Sequence, residues 1–224
     1  MIDGCTFRDM APTTEVSTHE ALQLDLAVHD SIFGFVYQDG TMLKNVTVQN
    51  CTFSNVPRGI GSHSLLLNAY NENIKILNNT FKNIEQDCIV TLNYLDVEIS
   101  GNTMTDCGVG VLVQSSKKSP TTIFTTTHNG TQTYTGTFVP NLKTVIKNNT
   151  IKTRYNKWND SICGIKVFGR NITSPEYNET DHGTIPAGDY YISGVEISNN
   201  TITTAGYGIH LTNARDSVIT GNSI

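Results

Sequence analysis

Hydrolysis of a glycosidic bond needs two carboxyl groups across it, one protonated and one ionised, and Glu20, Asp25 and Asp87 are the residues of this chain best spaced to supply them. His63 would relay or tune a proton beside them, while Gln23 and Arg58 would orient sugar hydroxyls. Trp158, with Arg154 and Tyr155 close in sequence, offers a ring on which a sugar can stack. The expected catalytic set is thus Glu20, Asp25, Asp87 and His63, and the expected substrate-binding set is Gln23, Arg58 and Trp158. A plainer account of the same residues is a charge ladder, in which Arg58 between Glu20 and Asp87 merely keeps like charges from stacking.

What brings these residues together is a repeat. A phrase of small or Asn, then Asn or Cys, then Thr, then apolar recurs along the chain: Gly4-Cys5-Thr6-Phe7, Asn50-Cys51-Thr52-Phe53, Asn78-Asn79-Thr80-Phe81, Gly101-Asn102-Thr103-Met104, Asn148-Asn149-Thr150-Ile151, Asn199-Asn200-Thr201-Ile202 and Gly221-Asn222-Ser223-Ile224. Most copies follow an alternating strand such as Val46-Thr47-Val48, Ile74-Lys75-Ile76 or Val195-Glu196-Ile197. Asn suits the turn because it tolerates left-handed backbone angles and its amide can bond the equivalent Asn of the units above and below. The copies lie 46, 28, 23, 47, 51 and 22 residues apart. The bare unit is therefore about 22 residues, and longer intervals hold insertions.

A second set of short strands follows the turns: Ala21–Leu24, Gly59–Ser62, Cys88–Thr91, Gly110–Val113, Gly164–Val167 and Gly208–Leu211. Aligning them on their central apolar residue places insertions at 8–19, 26–43, 64–72, 115–143, 152–162 and 169–192. The same alignment puts Glu20, Arg58 and Asp87 in one column, Gln23 beside Gly61, and Asp25 beside His63. With parallel strands ~4.8 Å apart, three consecutive units gather all the named polar residues into one patch. Later units carry Val109, Leu112, Cys163, Lys166 and Phe168 at these positions, which are less reactive. Strand parity raises one requirement: Glu20 lies two residues before inward-facing Leu22, so it faces out only if a corner falls between them.

This pattern resembles the parallel β-helix repeat of the pectin-lyase-like superfamily over essentially all 224 residues. The resemblance implies an all-β, right-handed, single-stranded parallel β-helix of about seven coils, forming one domain over residues 1–224. The phrases His19-Glu20-Ala21-Leu22-Gln23-Leu24-Asp25 and Arg58-Gly59-Ile60-Gly61-Ser62-His63 are similar to those of bacterial secreted β-helix proteins that act on carbohydrates. The superfamily holds lyases, hydrolases, epimerases, tailspikes and adhesins, so chemistry has to come from the site. The chain opens within a repeat and closes on Ile224 of another, and the reading expects a fragment whose caps lie elsewhere.

Composition bounds the rest. Hydrophobic residues are 38% and charged residues 16%, a β-rich balance, and the net charge of −5 with no Lys/Arg stripe argues against nucleic acid as a partner. No run approaches the ~20 apolar residues of a membrane-spanning helix. Five cysteines form no C-x-x-C pair, so neither a disulfide framework nor a zinc site is indicated and they read as small core residues. A lyase would need a base beside a uronate and calcium or a cation to neutralise it. Asp25, Asp30 and Asp39 are the one loop set that calcium could use, and a solvated loop accounts for them more simply, so no cofactor or metal is expected. The expected protein is a secreted or cell-surface glycosidase whose partner is a polysaccharide or glycan. Its rivals are a glycan-binding adhesin, a tailspike or structural module, and, less favoured, a polysaccharide lyase.

Overall fold

The computed structural model describes residues 1–10, 19–24, 29–30, 36–37, 43–62, 70–114, 132–133, 141–154, 162–172, 176–178, 183–185 and 188–224. Among the described residues every regular element is a strand, and the long sheets are parallel. One face stacks Ile2–Asp3, Lys44–Gln49, Asn71–Leu77, Tyr94–Ser100, Asn141–Lys147 and Ile192–Ser198 in that order, with Ala214–Arg215 and Val218–Thr220 on its last strand. A second face stacks Thr6–Arg8, Thr52–Val56, the first part of Thr80–Leu92, the first part of Thr103–Gln114, Thr150–Thr153 and Thr201–Thr203. The third carries Glu20–Gln23, Arg58–Gly61, the remainders of the two long strands, Cys163–Phe168 and Tyr207–Thr212.

The repeat found in the sequence is the register of the sheet. Thr6 pairs with Thr52, Thr52 with Thr80, Thr80 with Thr103, Thr103 with Thr150, Thr150 with Thr201 and Thr201 with Ser223, so each phrase lies directly on the next despite intervals that differ twofold. Like therefore stacks on like inside. Val48, Ile76, Ile99, Ile146 and Ile197 form one buried column, and Ile60, Ile89, Val111 and Ile165 another. Phe7, Phe53 and Phe81 stack face to face at 4.7 and 4.8 Å, because strand spacing imposes that separation on rings at equivalent positions. Burying each large aliphatic or aromatic side chain contributes about 1.5–3 kcal/mol.

Each turn divides its work between two neighbouring residues. The first, Asn50, Asn78, Gly101, Asn148, Asn199 or Gly221, holds a left-handed φ of 53–68°. The second makes the ladder: the backbone N–H and Nδ2 of Asn79 both donate to Oδ1 of Asn102, those of Asn102 to Asn149, those of Asn149 to Asn200 and those of Asn200 to Asn222, at 2.9–3.0 Å. The other Nδ2 hydrogen closes on a strand carbonyl, Val48, Ile76, Ile99, Ile146 or Ile197 in turn. Asn79, Asn102, Asn149 and Asn200 are buried, so these bonds replace the water each amide gave up. Cys51 holds the same position without an amide, and its N–H donates to Asn79 Oδ1.

The insertions are described in pieces. His29–Asp30 and Val36–Tyr37 pair antiparallel, as do Arg170–Ile172 with Gly188–Tyr190 and Glu176–Asn178 with Gly183–Ile185. Gln132–Thr133, in the insertion at 115–143, pairs in parallel with Gly183–Thr184, in the insertion at 169–192. Strands Asn71–Leu77, Asn141–Lys147 and Ile192–Ser198 begin within the last residues assigned to insertions. Of the cysteines, Cys51, Cys88, Cys107 and Cys163 are buried and unbridged as expected, but Cys5 is exposed, since only one unit packs against it.

The division of labour at the turn is testable by paired substitutions. Asn149→Ala should leave the Asn102 backbone N–H and one Nδ2 hydrogen without the Oδ1 they share, and cost about 3 kcal/mol or more, read as a lower urea midpoint at unchanged slope. Asn148→Gly should change stability by no more than about 0.5 kcal/mol, because glycine accepts the left-handed φ of 56° that Asn148 supplies.

Candidate functional site

The corner between the second and third faces decides where the charged residues point. At Gly59 an added Cβ would come within 2.4 Å of the Cys88 carbonyl oxygen and 2.7 Å of the Phe81 ring, and at Gly110 and Gly164 similar atoms stand at 2.6 and 2.5 Å. This position therefore faces the packed interior and takes only small residues, Ala21 and Cys88 among them. Ile60, the next residue, also faces in. Two consecutive inward residues break the strand alternation, and residues one step earlier, Glu20 and Arg58, are turned to the outer side. Gly61 makes the room: a Cβ there would stand 3.0 Å from Glu20 Cγ. The corner that parity demanded is present.

Glu20 pairs in register with Arg58, and Gln23 with Gly61, as the alignment expected. Arg58 Nη1 lies 3.4 Å from Glu20 Oε1, and its Nε lies 3.4 Å from Asp87 Oδ2. Arg58 Nε also donates to Gln86 Oε1 at 3.0 Å. One guanidinium thus holds a carboxylate on each side of its own unit. The carboxylates are shielded: the Glu20 side chain is 0% exposed and that of Asp87 5%, against 21% for Arg58. Gln23 is exposed on the same face.

Burial pushes the Asp87 carboxyl up to about 6, a rise that the nearby Arg58 and Lys166 cations oppose and Glu20 assists. Its Oδ1 is buried without a hydrogen-bond partner. Gln86 was not anticipated from the sequence. Its signal was there: Ile84 to Asp87 spans three steps where Val56 to Arg58 and Cys107 to Val109 span two, and the register shifts at that point. The extra residue puts the Gln86 amide beside Arg58.

Asp25, His63 and Trp158 lie outside the described residues, as do Asp39 and Tyr155; Asp30 is described only as part of a short backbone pair. Of the expected set, the structure brings together Glu20, Arg58 and Asp87. Among the described residues no three His, Cys, Asp or Glu side chains are placed to hold a metal ion, and no helix is long and apolar enough to cross a membrane. Further along the outer face, Val90, Leu112, Lys166 and His210 follow Gly61 in one column, and Leu92, Gln114, Phe168 and Thr212 form the next. No family model matches the chain, and no curated protein or solved structure matches it.

The buried Asp87 makes stability depend on pH with a definite sign. Its folded pKa of about 6 exceeds its ordinary value of 3.8, so the folded chain binds more protons between those values and stability falls as pH rises through that window. Asp87→Asn should abolish this loss, on the order of 3 kcal/mol between pH 4 and pH 7, and should leave the variant the more stable protein above pH 7. Urea midpoints measured at intervals of pH for both proteins give the comparison.

Proposed function

We propose that the stacked units form a right-handed parallel β-helix of the pectin-lyase-like kind and that its third face binds a carbohydrate chain without cleaving it, in a secreted or cell-surface protein. The observation that carries this reading is the engagement of both carboxylates by Arg58, with the Glu20 and Asp87 side chains 0% and 5% exposed. A general acid must reach the glycosidic oxygen it protonates, and a group so shielded does not present itself to one. Removing Arg58 would leave two shielded carboxylates without their shared cation, so the trio is well suited to fixing three neighbouring units in one geometry. What stays accessible on this face includes Gln23 and, in the later units, Gln114, Lys166, Phe168, His210 and Thr212, a polar and aromatic set in the manner of a sugar-binding surface.

Hydrolysis through Glu20 and Asp87 is the second reading, and one observation favours it. Asp87 carries its proton to about pH 6 and has a partnerless buried oxygen, which is how a carboxyl is prepared to act as an acid. A screen of polysaccharides with both a binding and a reducing-end readout separates the two. The binding reading expects retention of at least one glycan with no new reducing ends, and no change in that retention for Glu20→Gln with Asp87→Asn. Release of reducing ends that disappears in those two variants, with folding intact, would replace it by the hydrolase.

A further inference from the structure

Two cysteines stand where the ladder has amides. At the position of Asn79, Asn102, Asn149, Asn200 and Asn222, the first two units carry Cys5 and Cys51. Cys51 fills the slot with sulfur. Its thiol donates to the Gln49 carbonyl at 3.1 Å and lies 3.9 Å from that of Ile2, the register partner of Val48, whose carbonyl takes Asn79 Nδ2. Cys5 Sγ lies 3.6 Å from the Asp3 carbonyl two residues back, the relation that Cys51 has to Gln49. Burial pushes the Cys51 thiol up; the Cys5 N–H, which donates to its sulfur, opposes this, and the neighbouring Cys5 thiol assists it.

Backbone register sets the separation of the pair. Thr6 pairs with Thr52, and Thr52 N–H donates to the Cys5 carbonyl at 2.9 Å, so Cys5 and Cys51 face one another one strand spacing apart. That spacing, ~4.8 Å, falls within the ~4.4–6.8 Å between Cα atoms that a disulfide spans. No other two cysteines hold equivalent positions. Ile84 and Thr153 flank Cys107, and Val109 and Tyr207 flank Cys163. The Cys88 thiol adjoins that of Cys107 but from a different place along the strand, with Gly110 opposite Cys88. The relation of Cys5 to Cys51 belongs to two stacked units and does not depend on the exposure of Cys5.

We propose that Cys5 and Cys51 form a disulfide, a covalent rung at the ladder position where these two units have no amide. The co-reactant is a small-molecule disulfide. One cysteine thiolate attacks it, releasing one small thiol and leaving a mixed disulfide; the second thiolate displaces the other small thiol and closes the Cys5–Cys51 bond. The cysteine pair loses two electrons and two protons, and the two released thiols carry them away. The bond would fix the first unit on the second in the register that amides fix elsewhere. It is independent of glycan binding.

The test is to equilibrate the purified chain with oxidised and reduced glutathione at the poise of a secretory compartment, trap free thiols by alkylation and map the peptides by mass. The expected product is a monomer that has lost two hydrogens, with the peptide holding Cys5 joined to the one holding Cys51. Backbone amides of Thr6–Arg8 should then exchange with deuterium about tenfold or more slowly than in the reduced chain. Cys5→Ser should abolish both the link and the slowing. Cys51→Asn, which extends the amide ladder by one unit and so favours the fold, should abolish the link as well. Free thiols at both positions, glutathione retained on Cys5, or a dimer joined through Cys5 would each overturn the proposal.

Discussion

An amide buried at 1% exposure can be tolerated only if its oxygen and both hydrogens find partners, and in the column from Asn79 to Asn200 the 2.9–3.0 Å partners all lie on neighbouring units. From Asn102 onward Oδ1 accepts twice from the unit before, and Asn79 Oδ1 once, from Cys51 N–H; Nδ2 gives one hydrogen to the Oδ1 of the unit after and one to a strand carbonyl. No amide of this set is satisfied unless the units lie in register. A slip by one residue would strand a run of buried donors and would also turn each apolar column outward. Hydrophobic stacking would accept Ile on Val or Phe on Met in several alignments, so the geometric precision comes from the amides and the bulk of the stabilisation from the apolar columns.

That register explains how a site can be assembled from residues far apart in the chain. Insertions lengthen the interval from Thr103 to Thr150 to twice that from Thr80 to Thr103, yet the paired threonines remain opposite one another. Sequence distance is thereby separated from spatial distance, and Glu20, Arg58 and Asp87 meet although 67 positions separate the first from the last. The outer corners repeat the arrangement more weakly. Asn83 donates to Asn55 and Asn55 to Asp9, all three at left-handed φ, and Asn73 donates to Asn45 in the same way. These bonds are exposed and compete with water, so each contributes less than a bond of the buried column.

Much of this was legible because a stacked repeat writes its register into the sequence. The intervals between phrases are the intervals between paired residues, and the columns Glu20–Arg58 and Gln23–Gly61 followed from them. Three things were less legible. The turn phrase concealed a division of labour, since Asn78 and Asn79 look alike although one supplies a backbone angle and the other the ladder. Gln86 needed the extra residue between Ile84 and Asp87 to be recognised as a bulge rather than as noise in the alignment. The character of the carboxylates was hidden for a different reason: composition shows that Glu20 and Asp87 exist, but shielding depends on Gly61 clearing a slot for Glu20 and on Arg58 lying between them. Burial is a property of neighbours, and the neighbours come from other units.

The electrostatics of the third face follow from the same alternation of units. Arg58 lies between two acids, and its single charge is shared, so Asp87 is left with less compensation than a one-to-one pair would give it. On its far side Val109 and Cys163 occupy the column and offer no cation, the Cys163 thiol donating instead to the Ile165 carbonyl. Lys166 supplies the next cation, from an adjacent column and two units away, enough to oppose the effect of burial on Asp87 without cancelling it. The face therefore runs from a cluster in which one cation serves two acids, through an apolar middle at Val90 and Leu112, to Lys166 beside the Phe168 ring.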